Sequence, residues 1–232
     1  MDIRKRNVQG LDLLEVPGTL GAPAVLLFHG YGADAEDLLP LAQGWQEAEM
    51  KPHFFFPTGP LDVPIAPGYM GKGWFPVDIE ILKLAIHEHK SKEIIKAFPR
   101  EFSQVRAQCQ DLIAELDIPL SKLFLGGFSQ GAILATEVAL NFPEKVAALL
   151  LLSGTLVNEE SWRKQAQFHK GMAFFQSHGQ QDTLLPFDRA QALERLFLDA
   201  GFEGKLHAFH GGHEIPHSII SQLNAFLKHK AG

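Results

Sequence analysis

Short, nearly unbroken apolar runs recur along the chain at residues 11–16, 24–28, 53–56, 122–125, 146–152, 172–176 and 205–209. A strand buried on both faces loses the alternation of inside and outside, so such runs suit the middle of a parallel sheet covered by helices. Between them lie longer segments with apolar residues at helical spacing, 34–46, 98–116, 130–141, 187–200 and 216–228. Strand alternating with helix is the pattern of a doubly wound α/β sheet, whose functional groups gather where parallel strands end at their carboxyl edge. With 232 residues and no internal repeat, low-complexity tract or Pro/Gly/Ser linker, a single domain spanning 1–232 is expected.

Several classes drop out at this level. The hydrophobic share of 46% and charged share of 21% are those of a globular chain and argue against disorder, collagen-like repetition and coiled coil. The net charge is −6 and neither sign is concentrated in one block, which argues against a nucleic-acid partner. Arg4, Lys5 and Arg6 near the start are followed by no apolar run long enough for a signal-peptide core or a membrane span. A cytoplasmic protein without integral membrane association is therefore expected. Cys109 is the single cysteine, which excludes an internal disulfide and thiolate-rich metal sites, and its helical setting suits a small buried filler.

Residues 57–76 form the one long stretch without periodicity, with five prolines (Pro57, Pro60, Pro64, Pro67 and Pro76). A long irregular segment in a compact domain is usually functional or disordered. Its aromatics Tyr69, Trp74 and Phe75 point to a packed loop beside a site.

Gly127-Phe128-Ser129-Gln130-Gly131 spells G-x-S-x-G directly between an apolar run and a helical segment. At so tight a strand-to-helix turn the serine backbone is strained, and the flanking glycines remove Cβ atoms that would collide. The serine hydroxyl is left exposed, and the helix start aims main-chain N–H groups at the place where a tetrahedral oxyanion would form. A hydroxyl is a poor nucleophile at neutral pH and needs a base and a group to hold that base. Asp182 lies in the loop after the 172–176 run and His213 on the Gly211-Gly212 loop after the 205–209 run, in the order Ser, Asp, His expected of α/β-hydrolases.

In these motifs the chain resembles the phospholipase/carboxylesterase family of α/β-hydrolases, the group that includes acyl-protein thioesterases. The resemblance spans nearly the whole chain. It rests on Phe28-His29-Gly30-Tyr31-Gly32, Phe56-Pro57 leading to Gly73-Trp74-Phe75, Gly126 to Gly131, His178-Gly179 with Asp182 and Pro186, and Gly212-His213-Glu214-Ile215. It implies an α/β-hydrolase fold, a mostly parallel central sheet with helices on both faces, and a loop or cap-like segment around 57–97. It further implies Ser129 as nucleophile, Asp182 as orienting acid, His213 as base, and the main-chain N–H groups of Tyr31 and Gln130 as oxyanion hole, with replaceable side chains at those two positions. Tyr69, Trp74 and Phe75 are candidates for lining the acyl pocket, with simple packing of the loop as the equal alternative. Pro76 stands where many members carry aspartate, Ala132 where glycine is common, and residues 79–97 have no clear counterpart.

Other readings compete with this one. His29 could be a base, but beside a glycine turn at a strand end it suits fixing the oxyanion loop. Asp188 rivals Asp182, yet its place at a helix start gives it a routine electrostatic role. His210 ends its strand and His217 lies beyond Pro216, leaving His213 the freest reach. His213-Glu214-Ile215-Pro216-His217 matches the zinc pattern H-E-x-x-H, which requires a continuous helix that Gly211-Gly212 and Pro216 disfavour. A non-catalytic hydrolase-fold binding protein would be expected to have lost one of the three reactive residues. The favoured expectation is a serine carboxylesterase acting on a small acyl ester, with thioesters or lysophospholipids as alternatives. No metal or organic cofactor is implied, and no residue argues for a particular oligomeric state. A histidine base predicts activity that falls below about pH 6 to 7.

Overall fold

A computed structural model of the chain describes residues 1–45, 51–88, 90–99 and 102–231. Eight strands form one sheet: β1 (Arg4–Val8), β2 (Leu11–Val16), β3 (Ala24–Phe28), β4 (His53–Pro57), β7 (Leu123–Phe128), β8 (Ala148–Leu152), β9 (Ala173–Gly179) and β10 (Glu203–Phe209). Their order is β1-β2-β4-β3-β7-β8-β9-β10. The pairs β1/β2 and β2/β4 are antiparallel, and every pair from β4 to β10 is parallel.

The central strands are buried throughout, as their unbroken apolar runs require. Alternate residues feed two opposite cores. Leu26, Phe28, Leu125, Leu149 and Leu151 join one face, while Val25, Leu27, Phe124, Leu150 and Leu152 join the other. Helices α3 (Ser103–Glu115), α4 (Gln130–Leu140), α5 (Glu159–Ala166) and α6 (Phe187–Asp199) contribute to the first core, and α1 (Pro40–Gln43) and α7 (His217–Ala231) to the second. Cys109 is a filler of the first core, and burial pushes its thiol pKa up. Because successive strands run outward from β3 in one direction and from β7 in the other, the carboxyl edge opens at the β3/β7 junction.

The departures from expectation have local causes. The 34–46 helix is a 3-10 turn at Glu36–Leu38 and a single α turn from Pro40, because Pro40 has no N–H to continue an earlier helix; Gln46 lies outside the described residues. The helix expected from residue 98 begins at Ser103, after Pro99, with residues 100 and 101 outside the described set. The 57–76 stretch is not irregular. It holds the two-stranded hairpin β5 (Leu61–Ala66) and β6 (Tyr69–Gly73), closed by Pro67-Gly68 with Gly68 at φ 79°. Pro at the first and a positive-φ Gly at the second central position is turn chemistry, and Pro64 is tolerated because the ribbon has only two strands. Helix α2 (Ile79–His87) follows the hairpin. Strand β1, with four exposed residues out of five, carries no apolar signal and was not expected.

Candidate active site

The carboxyl ends of β3, β7, β9 and β10 supply the site. Ser129 follows β7 with φ 55° and ψ −116°, a strained conformation for a residue with a Cβ. The glycines around it are required by close approach. A Cβ at Gly131 would stand 2.0 Å from the Phe28 carbonyl oxygen, and one at Gly127 would stand 2.5 Å from the same atom. Ala132, where glycine was the common residue, is accommodated from the other side: a Cβ on Gly154 would meet the Ala132 methyl at 2.8 Å.

His213 lies in the loop between β10 and α7, half-buried against Phe128, with the ring centroids 4.9 Å apart. Its Nδ1 is 2.7 Å from Asp182 Oδ2 and its Nε2 is 2.8 Å from Ser129 Oγ. A carboxylate only accepts, so Nδ1 carries the proton and Nε2 is left to accept from the serine hydroxyl. Asp182 is buried and tightly held, because its Oδ1 also accepts the N–H groups of Leu184 and Leu185, both at 2.9 Å. Burial alone would raise its pKa, but the hydrogen bonds from His178 and His213 outweigh that and hold the carboxyl well below the usual carboxylate range.

The loop Gly30–Ala33 after β3 is fastened from several sides. The Gly32 N–H donates to Lys72 O at 2.8 Å and the Lys72 N–H to Ala33 O at 3.2 Å, so β6 pairs with the loop. A Cβ at Gly71 would stand 2.1 Å from Gly32 O. His29, fully buried, donates from Nδ1 to Gly30 O at 2.7 Å and accepts the Gly59 N–H at Nε2 at 2.9 Å. Both ring nitrogens are used by main chain, which fixes a neutral tautomer; burial lowers its pKa, against the opposing effect of the Gly30 hydrogen bond. Trp74 donates its indole N–H to His29 O at 3.0 Å. Among the described residues, no acceptor is hydrogen-bonded to the main-chain N–H of Tyr31 or of Gln130.

The side chain of Gln130, expected to be replaceable, makes two buried hydrogen bonds. Its Oε1 accepts the Trp74 N–H at 2.9 Å and its Nε2 donates to Phe75 O at 2.8 Å, tying the start of α4 to the chain leaving the hairpin. Its partners are 55 and 56 residues away in sequence, so no local pattern pointed to this tie.

A cleft of about 330 Å³ opens over Ser129 and His213, walled by Tyr31, Val77, Ile79, Leu82, Phe98 and Leu184 among others. Tyr69, Trp74 and Phe75, expected against the acyl group, are not brought to it. Tyr69 is exposed on the hairpin, Trp74 is buried on His29 and Phe28, and Phe75 packs edge-on against Phe98 and Phe102. Val77, Ile79 and Leu82, at and beside the start of α2, supply much of the apolar wall instead. Among the rivals, His210 meets Gln181 rather than Ser129, Asp188 lies in the first turn of α6, and His217 begins α7. His213 precedes that helix, so the two histidines of H-E-x-x-H do not share a helical turn.

Comparison with known proteins gives a consistent picture. A family model described as Phospholipase/Carboxylesterase matches residues 14–231. Acyl-protein thioesterase 1 of Eremothecium gossypii is 29% identical over 211 residues, covering 88% of this chain and 86% of the relative. Acyl-protein thioesterase 1 of Debaryomyces hansenii is 31% identical over 165 residues, 68% of this chain and 67% of the relative. The crystal structure of esterase PE8 superposes with a TM-score of 0.74 at 26% identity, covering 99% of both chains.

Proposed function

The chain belongs to the phospholipase/carboxylesterase family of α/β-hydrolases, a serine hydrolase family, and from that premise we propose that it is a carboxylesterase that hydrolyses acyl esters through an acyl-enzyme. The observation that carries the proposal is the hydrogen-bonded series Asp182, His213 and Ser129 at the base of an apolar cleft.

Ser129 Oγ attacks the acyl carbonyl carbon as its proton passes to His213 Nε2. The carbonyl electron pair moves to oxygen, and the oxyanion takes up the free N–H groups of Tyr31 and Gln130. Asp182 remains an anion, holds the imidazole in its Nδ1–H form and stabilises the imidazolium. Collapse of the tetrahedral intermediate breaks the bond to the leaving oxygen, which receives the proton from His213. Water then repeats the sequence on the acyl-enzyme: His213 takes its proton, the hydroxide adds, and Ser129 Oγ leaves with the proton returned by His213 as the free acid is released. Each main-chain donor contributes about 100-fold to 1000-fold in turnover.

A second reading, thioester hydrolysis, is favoured by the relatives named acyl-protein thioesterase 1. Oxygen esters and thioesters pass through the same tetrahedral geometry, so the reacting residues serve both. The test is turnover of p-nitrophenyl esters and matched thioesters over a series of acyl lengths, for wild type and Ser129→Ala. Faster turnover of oxygen esters than of thioesters, abolished in Ser129→Ala, is the expected result. Near-normal activity in Ser129→Ala overturns the assignment, and preference for thioesters moves it to the second reading. Among the described residues no helix is long and apolar enough to cross a membrane.

A further inference from the structure

We infer that His178 is a positioning residue for the proposed reaction, acting on His213 through Asp182. The inference rests on the roles proposed above for Ser129, His213 and Asp182. His178 is the penultimate residue of β9 and its side chain is fully buried. Its Nε2 lies 2.7 Å from Leu185 O and 3.2 Å from Asp182 Oδ2, the oxygen that also accepts from His213. Both neighbours can only accept, so Nε2 carries a proton and shares it between them. Nδ1 is buried without a partner among the described residues, so a second proton there would have no acceptor. The ring is therefore a neutral donor with one purpose visible in the structure, to close the turn that follows β9.

That turn decides where the acid points. Leu184 and Leu185 donate their N–H groups to Oδ1, while Leu185 returns its carbonyl to His178, so carboxylate, turn and imidazole form a closed ring of hydrogen bonds. Asp182 thereby receives four donors, two on each oxygen. His213 is one donor among four, so the acid is satisfied without taking the proton from Nδ1 and stays anionic through turnover. The titratable groups facing the carboxylate are His178 from β9 and His213 from the loop after β10. On the α6 side, Phe187 packs 6.2 Å from the His178 ring and Arg189 turns away to the Leu156 carbonyl oxygen.

Removing the His178 donor leaves Asp182 both looser and a stronger acceptor for the imidazolium of His213. His178→Leu should lower kcat by about 10-fold to 100-fold, the scale of losing an orienting partner behind a functional group, with KM nearly unchanged. The acid limb of the pH–rate profile should move to higher pH. His178→Gln, whose Nε2 can reach the same acceptors, should recover most of the activity and the wild-type profile. In an Asp182→Asn background His178→Leu should cost nothing further. Unchanged kcat in folded His178→Leu, equal damage from Gln and Leu, or the full loss persisting in the Asp182→Asn background would each overturn the inference. Should His178→Leu fail to fold, His178→Phe, which keeps an aromatic ring and removes the donor, serves the same comparisons. Ser129→Ala run alongside separates the failures: if it is inactive while His178→Leu equals wild type, only the positioning role falls.

Discussion

The edge of the sheet around Ser129 and the 57–97 segment above it border the same cleft but are built in opposite ways. At the edge, glycines admit main chain to within distances no side chain would allow, and polar groups such as His29, Gln130 and Asp182 are buried with their partners satisfied. The segment above shows Leu61, Ile65, Tyr69, Met70, Ile81 and Leu84 to solvent, and its ion pairs Lys72–Asp62 and Lys83–Glu80 are on the surface. The two meet through β6 against the Gly32 loop, Gly59 and the Trp74 indole on His29, and Trp74 with Phe75 against Gln130. The geometry proposed for the reaction is thus fixed by the core, while much of the wall that an acyl group would meet is carried by a segment with few such constraints. Substitutions should separate these two regimes.

The largest effect is expected at the edge. Ser129→Ala should lower turnover by about 10⁴-fold or more with the thermal midpoint preserved, as read from ester hydrolysis and calorimetry on the same sample. Next comes the buried support beneath it. Glu137 on α4 accepts from Arg106 and the Trp162 indole, both at 2.7 Å, and is itself buried. Glu137→Ala leaves both donors stranded and should cost about 3 kcal/mol in urea unfolding, whereas Glu80→Ala in the exposed pair should change stability by less than about 0.5 kcal/mol. Equal costs would erase the contrast.

Gln130→Ala keeps the main-chain donor but unties α4 from Trp74 and Phe75, and should lower kcat by about 10-fold with a smaller change in KM. A subtler effect follows from His29. Burial depresses its pKa, so the unfolded chain binds the proton more readily than the folded one. Its contribution to stability is complete above about pH 6.5 and is lost as pH falls toward the folded value. Urea unfolding between pH 7 and 5 should therefore show declining stability, with a shallower slope in His29→Asn. The smallest effect is expected at the hairpin: Tyr69→Ser should leave stability within about 0.5 kcal/mol and short-ester turnover unchanged.

Much of this arrangement is legible in the chain. The runs that became β2, β3 and β4 and the strands β7 to β9 are apolar because they are covered on both faces, and G-x-S-x-G between a strand and a helix leaves one turn geometry available. The surface elements are less legible. Strand β1 holds its place by main-chain pairing with β2, a bond every residue can make. The Pro67-Gly68 turn was a readable hairpin signal hidden among prolines. Tyr69, Trp74 and Phe75 were drawn toward the acyl pocket by their aromatic character, yet aromatic character alone does not say whether a ring faces a ligand or another ring.

The local pattern of the sequence thus determined the doubly covered sheet, the strained serine and the chain order of hydroxyl, carboxylate and imidazole, because these depend on periodicity and on steric rules within a few residues. Only the tertiary structure decided which nitrogen of His213 faces Ser129, that Gln130 and His29 bind the segment above them, that His178 shares the oxygen of Asp182, and that α2 rather than the aromatics walls the cleft. Each of these is a contact between residues brought together by the register of parallel strands and by loop closure. Their energies lie in hydrogen-bond direction and burial, which no local pattern encodes.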